Sequence, residues 1–195
     1  MQVINYGASN LRSVVNALRR LGAAHEVVDE GSALRPDAKV ILPGVGAASS
    51  AMAALSERGF VERLRGHTRP VLGICLGLQL LLERSEEDGG TACLGIVSGA
   101  VRRFGKGVKT PHIGWNQVRW RNTDPLSEGI SQDANFYFVH SYVARPPEEV
   151  SLGESDYGGP FCVVLRRGCV WGVQFHPEKS GAPGFRLLRN FIERC

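Results

Sequence analysis

The pentapeptide Gly73-Ile74-Cys75-Leu76-Gly77 ends the apolar run PVLGI, which reads as a buried strand, and opens the run CLGLQLLLERS, which reads as a helix. A cysteine at a strand-to-helix turn, with a glycine two positions away on each side, is the thiol counterpart of the G-x-S-x-G nucleophile elbow. Small flanking residues let the backbone take the sharp turn that pushes the reactive side chain outward. Backbone N–H groups at the start of the following helix favour thiolate over thiol and can later hold an oxyanion. A lone buried cysteine is more often structural, but the paired glycines and the turn point to attack on an acyl carbon.

A thiol nucleophile needs a base, and Gln174-Phe175-His176-Pro177-Glu178 supplies one with its orienter. In an extended chain residues two apart share a face, so Glu178 can hold the His176 imidazole in one tautomer while the other ring nitrogen faces the thiol. A third element, Pro43-Gly44-Val45-Gly46, follows the strand KVIL. A glycine-rich turn there places backbone N–H groups at the C-terminal edge of a parallel sheet, where they can form half of an oxyanion hole. It does not fit the GxxxxGK[ST] pattern, which disfavours nucleotide binding.

These segments need a frame. QVINY reads as a first strand, followed by the helix LRSVVNALRRLG with Asn10 as its N-cap and Gly22 at its end. HEVVD and KVILP read as strands, ASSAMAALSERGF as a helix, and PVLGI as the next strand. Strands alternating with helices imply a parallel sheet. Beyond it, VRRF, NQVRW, NFYFVHSYVA, FCVVLRRG and CVWGVQF are strand-like, and GFRLLRNFIER is a closing helix. The expected architecture is α/β, a mostly parallel central sheet with antiparallel additions, as a single domain over residues 1–195.

The chain has 195 residues, 43% hydrophobic and 22% charged, which argues against disorder. No apolar run is long enough to span a bilayer, and MQVINYG lacks the basic-then-apolar start of a secretory signal, so a cytoplasmic location is expected. The five cysteines, Cys75, Cys93, Cys162, Cys169 and Cys195, are odd in number with no CxxC pair. Reduced thiols are therefore expected, including Cys162 and Cys169, which flank the hairpin VVLRRG. The net charge of +4 is scattered in short groups such as Arg102-Arg103, unlike a nucleic-acid stripe.

PGVG, GICLGLQLL and QFHPEKS, in this order and spacing, resemble the class I (triad) glutamine amidotransferases. YGASNLRSV, PHIGWNQV and YFVHSY narrow the resemblance to the glutaminase subunits of imidazole glycerol phosphate synthases, over essentially the whole chain. The resemblance implies a three-layer, flavodoxin-like fold and no cofactor or metal. Glutamine would be hydrolysed to glutamate and ammonia through a γ-glutamyl thioester, with Cys75, His176 and Glu178 as the triad. Gly44, Val45 and Leu76 would form the oxyanion hole, and Gln79, Glu87, Ser141 and Tyr142 would hold the substrate, with Glu86 an alternative to Glu87. The implied partner is a (β/α)8 cyclase subunit that uses the ammonia to make imidazole glycerol phosphate and an aminoimidazole carboxamide nucleotide in histidine biosynthesis. Asn10, Trp115, Tyr137 and Lys179 are expected at or near that subunit interface.

This chain departs from the family pattern at Asn5, where an acid is usual, at Ser9, where glycine is usual, and in AASSAM, which lacks the usual aromatic. PHIGWN and YFVHSY weigh against a pyridoxal phosphate synthase glutaminase or a γ-glutamyl hydrolase. The intact triad weighs against a non-catalytic binding subunit.

Overall fold

The computed structural model describes residues 1–7, 10–105 and 107–195; the expected departure at Ser9 lies outside the described residues. Its first part alternates strand and helix: β1 (Gln2–Ile4), α1 (Leu11–Arg20), β2 (Glu26–Val28), β3 (Val40–Leu42), α2 (Ala48–Glu57), α3 (Phe60–Arg65), β4 (Val71–Ile74) and α4 (Leu76–Leu80). Then come β5 (Arg84–Ser85), β6 (Thr91–Ala92), β7 (Ala100–Arg103), β8 (His112–Trp120), β9 (Ala134–His140) and β10 (Tyr142–Arg145). The chain closes with β11 (Ser151–Asp156), β12 (Pro160–Arg167), β13 (Val170–Val173) and α5 (Gly181–Arg194).

Strands β2, β1, β3, β4 and β13 lie side by side and run parallel. The antiparallel extension passes from β13 through β12 and β10 to β7, while β11 leads from β12 to the β8–β9 pair. Side chains alternate across the parallel strands, so each strand feeds two cores. Val3, Ile41 and Leu72 pack with Val14 and Leu18 of α1 and Leu187 and Phe191 of α5. Ile4, Val40, Leu42 and Val71 pack on the opposite face with Ala51 and Leu55 of α2, Leu64 of α3 and Leu78 of α4. Helices on both faces of a mainly parallel sheet make the expected three-layer α/β architecture.

Several elements differ from the sequence reading. The helix after Cys75 is not the long one expected from CLGLQLLLERS: it stops at Leu80. The carbonyls of Leu80, Leu81, Leu82 and Glu83 accept instead from the backbone N–H groups of Leu94, Val97, Gly95 and Cys93, and Arg84–Ser85 joins the sheet. The helix ASSAMAALSERGF ends at Glu57, and Gly59 at φ 69° turns the chain into a separate α3. NFYFVHSYVA divides into β9 and β10 at Ser141. Asn10 is not an N-cap by side chain: it sits at φ 83° and makes no capping bond. The Cys162–Cys169 region forms the expected hairpin, and both thiols are free.

The elbow rests on a close approach. A Cβ built on Gly77 would lie 1.9 Å from the Leu42 carbonyl oxygen, and one on Gly73 would lie 2.7 Å from the Gly77 carbonyl. Strand β3 can therefore pass beside the elbow only if Gly77 has no side chain. Gly77→Ala is expected to lower the unfolding free energy by about 3 kcal/mol, the upper part of the overpacking range, read from the denaturant midpoint.

Candidate active site

Cys75 links β4 to α4 at φ 54°, ψ −108°, a conformation that costs a non-glycine residue about 1–3 kcal/mol. The strain is held by the neighbouring structure: Cys75 N–H donates to Val173 O at 2.7 Å, continuing the β4–β13 ladder to the end of the strand. The thiol is 5% exposed and faces a cavity of about 260 Å³.

His176 and Glu178 meet as expected from their spacing, though by a different local route. Pro177–Lys179 is a 3-10 turn rather than extended chain, and it brings His176 Nδ1 to 2.8 Å from Glu178 Oε1. The turn is anchored at both ends of His176. Its N–H donates to Tyr137 O at 2.9 Å, and its carbonyl accepts from Ser180 Oγ at 2.6 Å. Burial disfavours imidazolium at His176, but hydrogen bonding and charge from Cys75 and Glu178 outweigh it, raising the pKa well above the ordinary histidine value. His176 Nε2 makes no hydrogen bond of ordinary geometry, which leaves it for the nucleophile and leaving group. Asn10, expected at an interface, reaches into this pair: Nδ2 donates to Glu178 Oε1 at 2.6 Å. The 3.3 Å contact of the same nitrogen with His176 Nδ1 joins two donors once Nδ1 carries the proton directed at Glu178.

The cavity gathers most of the residues named from sequence. It is lined by Val45, Cys75, Leu76, Gln79, Glu87, Ser141 and Tyr142, with Gly46 of the same PGVG turn and two positions sequence reasoning missed, Val139 and His140. Of the two acids, Glu86 turns away to Arg102 and the Arg103 N–H, whereas Glu87 lines the cavity and accepts from Ala48 N–H at the start of α2. Gln79 Nε2 donates to Tyr142 O and to Gln174 Oε1, both at 3.0 Å.

The oxyanion elements are adjacent but point the wrong way for anion binding. Leu76 N–H donates to Gly44 O at 3.3 Å. That carbonyl belongs to the Gly44–Val45 peptide, and in a trans peptide the Val45 N–H points opposite to it. The turn thus offers an oxygen where an oxyanion would need a hydrogen.

Trp115, Tyr137 and Lys179 form one surface patch. Trp115 pairs with Tyr137 across β8 and β9, their ring centroids 6.0 Å apart, and Lys179 Nζ lies 6.0 Å over the Tyr137 ring. Trp115 is 59% exposed, and so, at 60%, is Ile113, which sequence reasoning passed over. The signal was the period of two in β8, where His112 is buried and Ile113 exposed.

A thiol that faces a cavity, with an imidazole and a buried carboxylate beside it, composes a site of the cysteine-dependent acyl-transfer type. The chain matches the family "Glutamine amidotransferase class-I" over residues 2–195. It is 49% identical over 195 residues to "Imidazole glycerol phosphate synthase subunit HisH" of Moorella thermoacetica, covering 98% of this chain and 93% of that one. The protein of the same name from Methylococcus capsulatus is 46% identical over 204 residues, covering 97% and 94%. A crystal structure of a glutamine amidotransferase superposes with a TM-score of 0.75 at 24% identity, covering 98% of this chain and 97% of that one. A glutamine amidotransferase from Thermotoga maritima gives 0.64 at 18%, covering 98% and 80%. These two likenesses bear on the fold. The chain belongs to the class-I glutamine amidotransferases and, within them, to the family of imidazole glycerol phosphate synthase HisH subunits.

His140, at the cavity wall, and His112 behind it are buried and joined, His112 Nδ1 to His140 Nε2 at 3.1 Å. Burial pushes His140 down to about 3 and also lowers His112. The unfolded chain binds the proton near 6.5, so between 6.5 and about 3 it holds protons that the folded state refuses. Stability contributed by His140 is present above 6.5 and is lost as pH falls through that window, at up to about 1.4 kcal/mol per unit. Urea midpoints are expected to fall from pH 6.5 to 4, and His140→Gln is expected to flatten that fall.

Proposed function

We propose that the chain hydrolyses L-glutamine at Cys75 and delivers ammonia to a cyclase subunit of imidazole glycerol phosphate synthase, in histidine biosynthesis. The observation that carries the site assignment is the strained Cys75 turn opening on a cavity shared with the Gln79, Glu87, Ser141 and Tyr142 positions, with the His176–Glu178 pair beside Cys75. Family membership supplies the substrate class. Residues 1–195 act on this reading as one glutaminase domain, in line with a family match over residues 2–195 and two cores sharing one sheet.

The Cys75 thiolate attacks the side-chain amide carbon of glutamine, and the carbonyl oxygen becomes an oxyanion. His176 imidazolium, stabilised by Glu178, gives its proton to the departing nitrogen, so ammonia leaves and a γ-glutamyl thioester remains. Neutral His176 then takes a proton from water as it attacks the thioester, releasing glutamate and restoring the thiolate–imidazolium pair. Glu87, Gln79 and the backbone at Ser141 and Tyr142 hold the substrate. Cys75→Ala is expected to cut glutamine-dependent synthase activity by at least about a thousandfold while free ammonia still drives the cyclase reaction. Retained glutamine turnover in that variant would sink the assignment.

Leu76 N–H and Val45 N–H stabilise the oxyanion once the Gly44–Val45 peptide has turned over. The present bond from Leu76 N–H to Gly44 O supports a resting state that lacks both donors. One missing oxyanion donor costs about 10²–10³ in turnover, so adding the cyclase and its nucleotide ligand is expected to raise the glutaminase rate by at least about a hundredfold. An isolated chain already at full rate would contradict this.

The patch of Trp115, Tyr137 and Lys179, with Asn10 behind it at the triad, is where the (β/α)8 cyclase barrel would dock. Exposed aromatic and aliphatic side chains beside a buried site suit interface anchors, and Ile113 joins them. The proposed setting is cytoplasmic, since the thiol chemistry needs a reducing compartment and all five cysteines are unpaired. No helix among the described residues is long and apolar enough to cross a membrane.

A further inference from the structure

We propose that Gln174 acts directly on the nucleophile, its side-chain amide donating a hydrogen bond to Cys75 Sγ and so favouring thiolate. Gln174 Nε2 lies 3.7 Å from that sulfur, and the residue is fully buried. The proposal rests on the reading of Cys75 as the reacting thiol and adds a group that the triad does not contain.

The orientation of the amide follows from one backbone carbonyl. Tyr142 O can only accept, and Gln79 Nε2 lies 3.0 Å from it, so the NH₂ end of Gln79 must face that way. The same nitrogen lies 3.0 Å from the Gln174 side chain, which must therefore present its oxygen to Gln79. This turns the NH₂ of Gln174 toward Cys75. The opposite rotamer of the amide would set NH₂ against NH₂ and an oxygen against sulfur, leaving buried polar groups unpaired.

The other side of Tyr142 O is fixed as well. His140 Nδ1 donates to it at 2.8 Å, so His140 Nε2 is an acceptor and His112 Nδ1 must be the donor across their 3.1 Å contact. His112 Nε2 then accepts from Asn116 Nδ2 at 3.4 Å. The chain from Asn116 to Cys75 has a single consistent set of donors, and burial of both histidines keeps it in that neutral form.

Local geometry explains why this residue reaches the sulfur. Gln174 and His176 lie two apart and both approach Cys75, while Phe175 between them stacks on Phe136, ring centroids 4.0 Å apart. Gln174 N–H is tied to Val163 O at 2.8 Å, which holds the segment against β12. A neutral donor aimed at sulfur stabilises the anion without competing with His176 for its proton.

The test is the pH profile of Cys75 alkylation by iodoacetamide in the full chain, followed by peptide mass spectrometry so that each cysteine is read separately. Gln174→Met keeps roughly the volume and removes the donor, and Gln174→Leu is a second variant of the same kind. In each, the midpoint for Cys75 is expected to rise by at least about one pH unit, slowing its modification about tenfold below the midpoint, with Cys93 unchanged. An unchanged midpoint in the folded variants, or faster modification of Cys75, would overturn the proposal. Because alkylation reads the sulfur without glutamine, this result is independent of whether Cys75→Ala abolishes glutamine turnover.

Discussion

The backbone at Cys75 is held in a conformation that its own residue type disfavours, and the surrounding structure is arranged to keep it there. The parallel ladder from β4 to β13 fixes the residue on one side, and the contact of Gly77 with the Leu42 carbonyl fixes it on the other. Strain of about 1–3 kcal/mol persists only where such contacts over-determine the geometry. The same constraint places the thiol at the C-terminal edge of the sheet, where β13 runs on into Gln174 and His176. Nucleophile and base thus come from adjacent parallel strands, separated in sequence and brought together by one ladder.

Much of this was legible in the sequence because the responsible features are local. Glycines two residues either side of Cys75 report the close packing that the elbow needs, and the His176-Pro177-Glu178 spacing reports a pair able to meet within one turn. Alternating strand and helix patterns gave the parallel sheet, and the family resemblance gave its three layers. What was illegible depended on contacts distant in sequence. CLGLQLLLERS has a helical pattern throughout, yet backbone donors from Leu94 to Val97 take its carbonyls and stop the helix at Leu80. Asn10 has the composition of an N-cap, but Glu178, 168 residues away, offers a charged acceptor that a helix terminus cannot match. Glu86 and Glu87 are indistinguishable as letters, and only the fold of the turn sends one to Arg102 and the other into the cavity.

The buried polar groups around the cavity are joined into two sets that meet at sulfur. One set holds the ionisable pair, His176 and Glu178, with Asn10 bonded to it. The other is neutral: Asn116, His112, His140, Gln79 and Gln174. Neutral and charged arms do different work. A charged arm must accept and release protons during turnover, so its members need partners that change with protonation state. A neutral arm offers fixed dipoles that need no reorganisation, which is the form of electrostatic support that acts at low cost in a buried site.

The state of preparation differs between the two halves of the site. Cys75, His176 and Glu178 are already gathered, whereas the Leu76 N–H is taken by Gly44 O. On the proposed function, a thiol without its anion-stabilising donors turns substrate over only slowly, which makes the Gly44–Val45 peptide the proposed point of control. The Trp115–Tyr137 patch meets the other half: Tyr137 O accepts from His176 N–H, and Tyr137 N–H donates to Ser180 Oγ. On the proposed docking, pressure on that patch reaches the His176 backbone directly through the Tyr137 O bond and, at one remove, through the Ser180 hydroxyl.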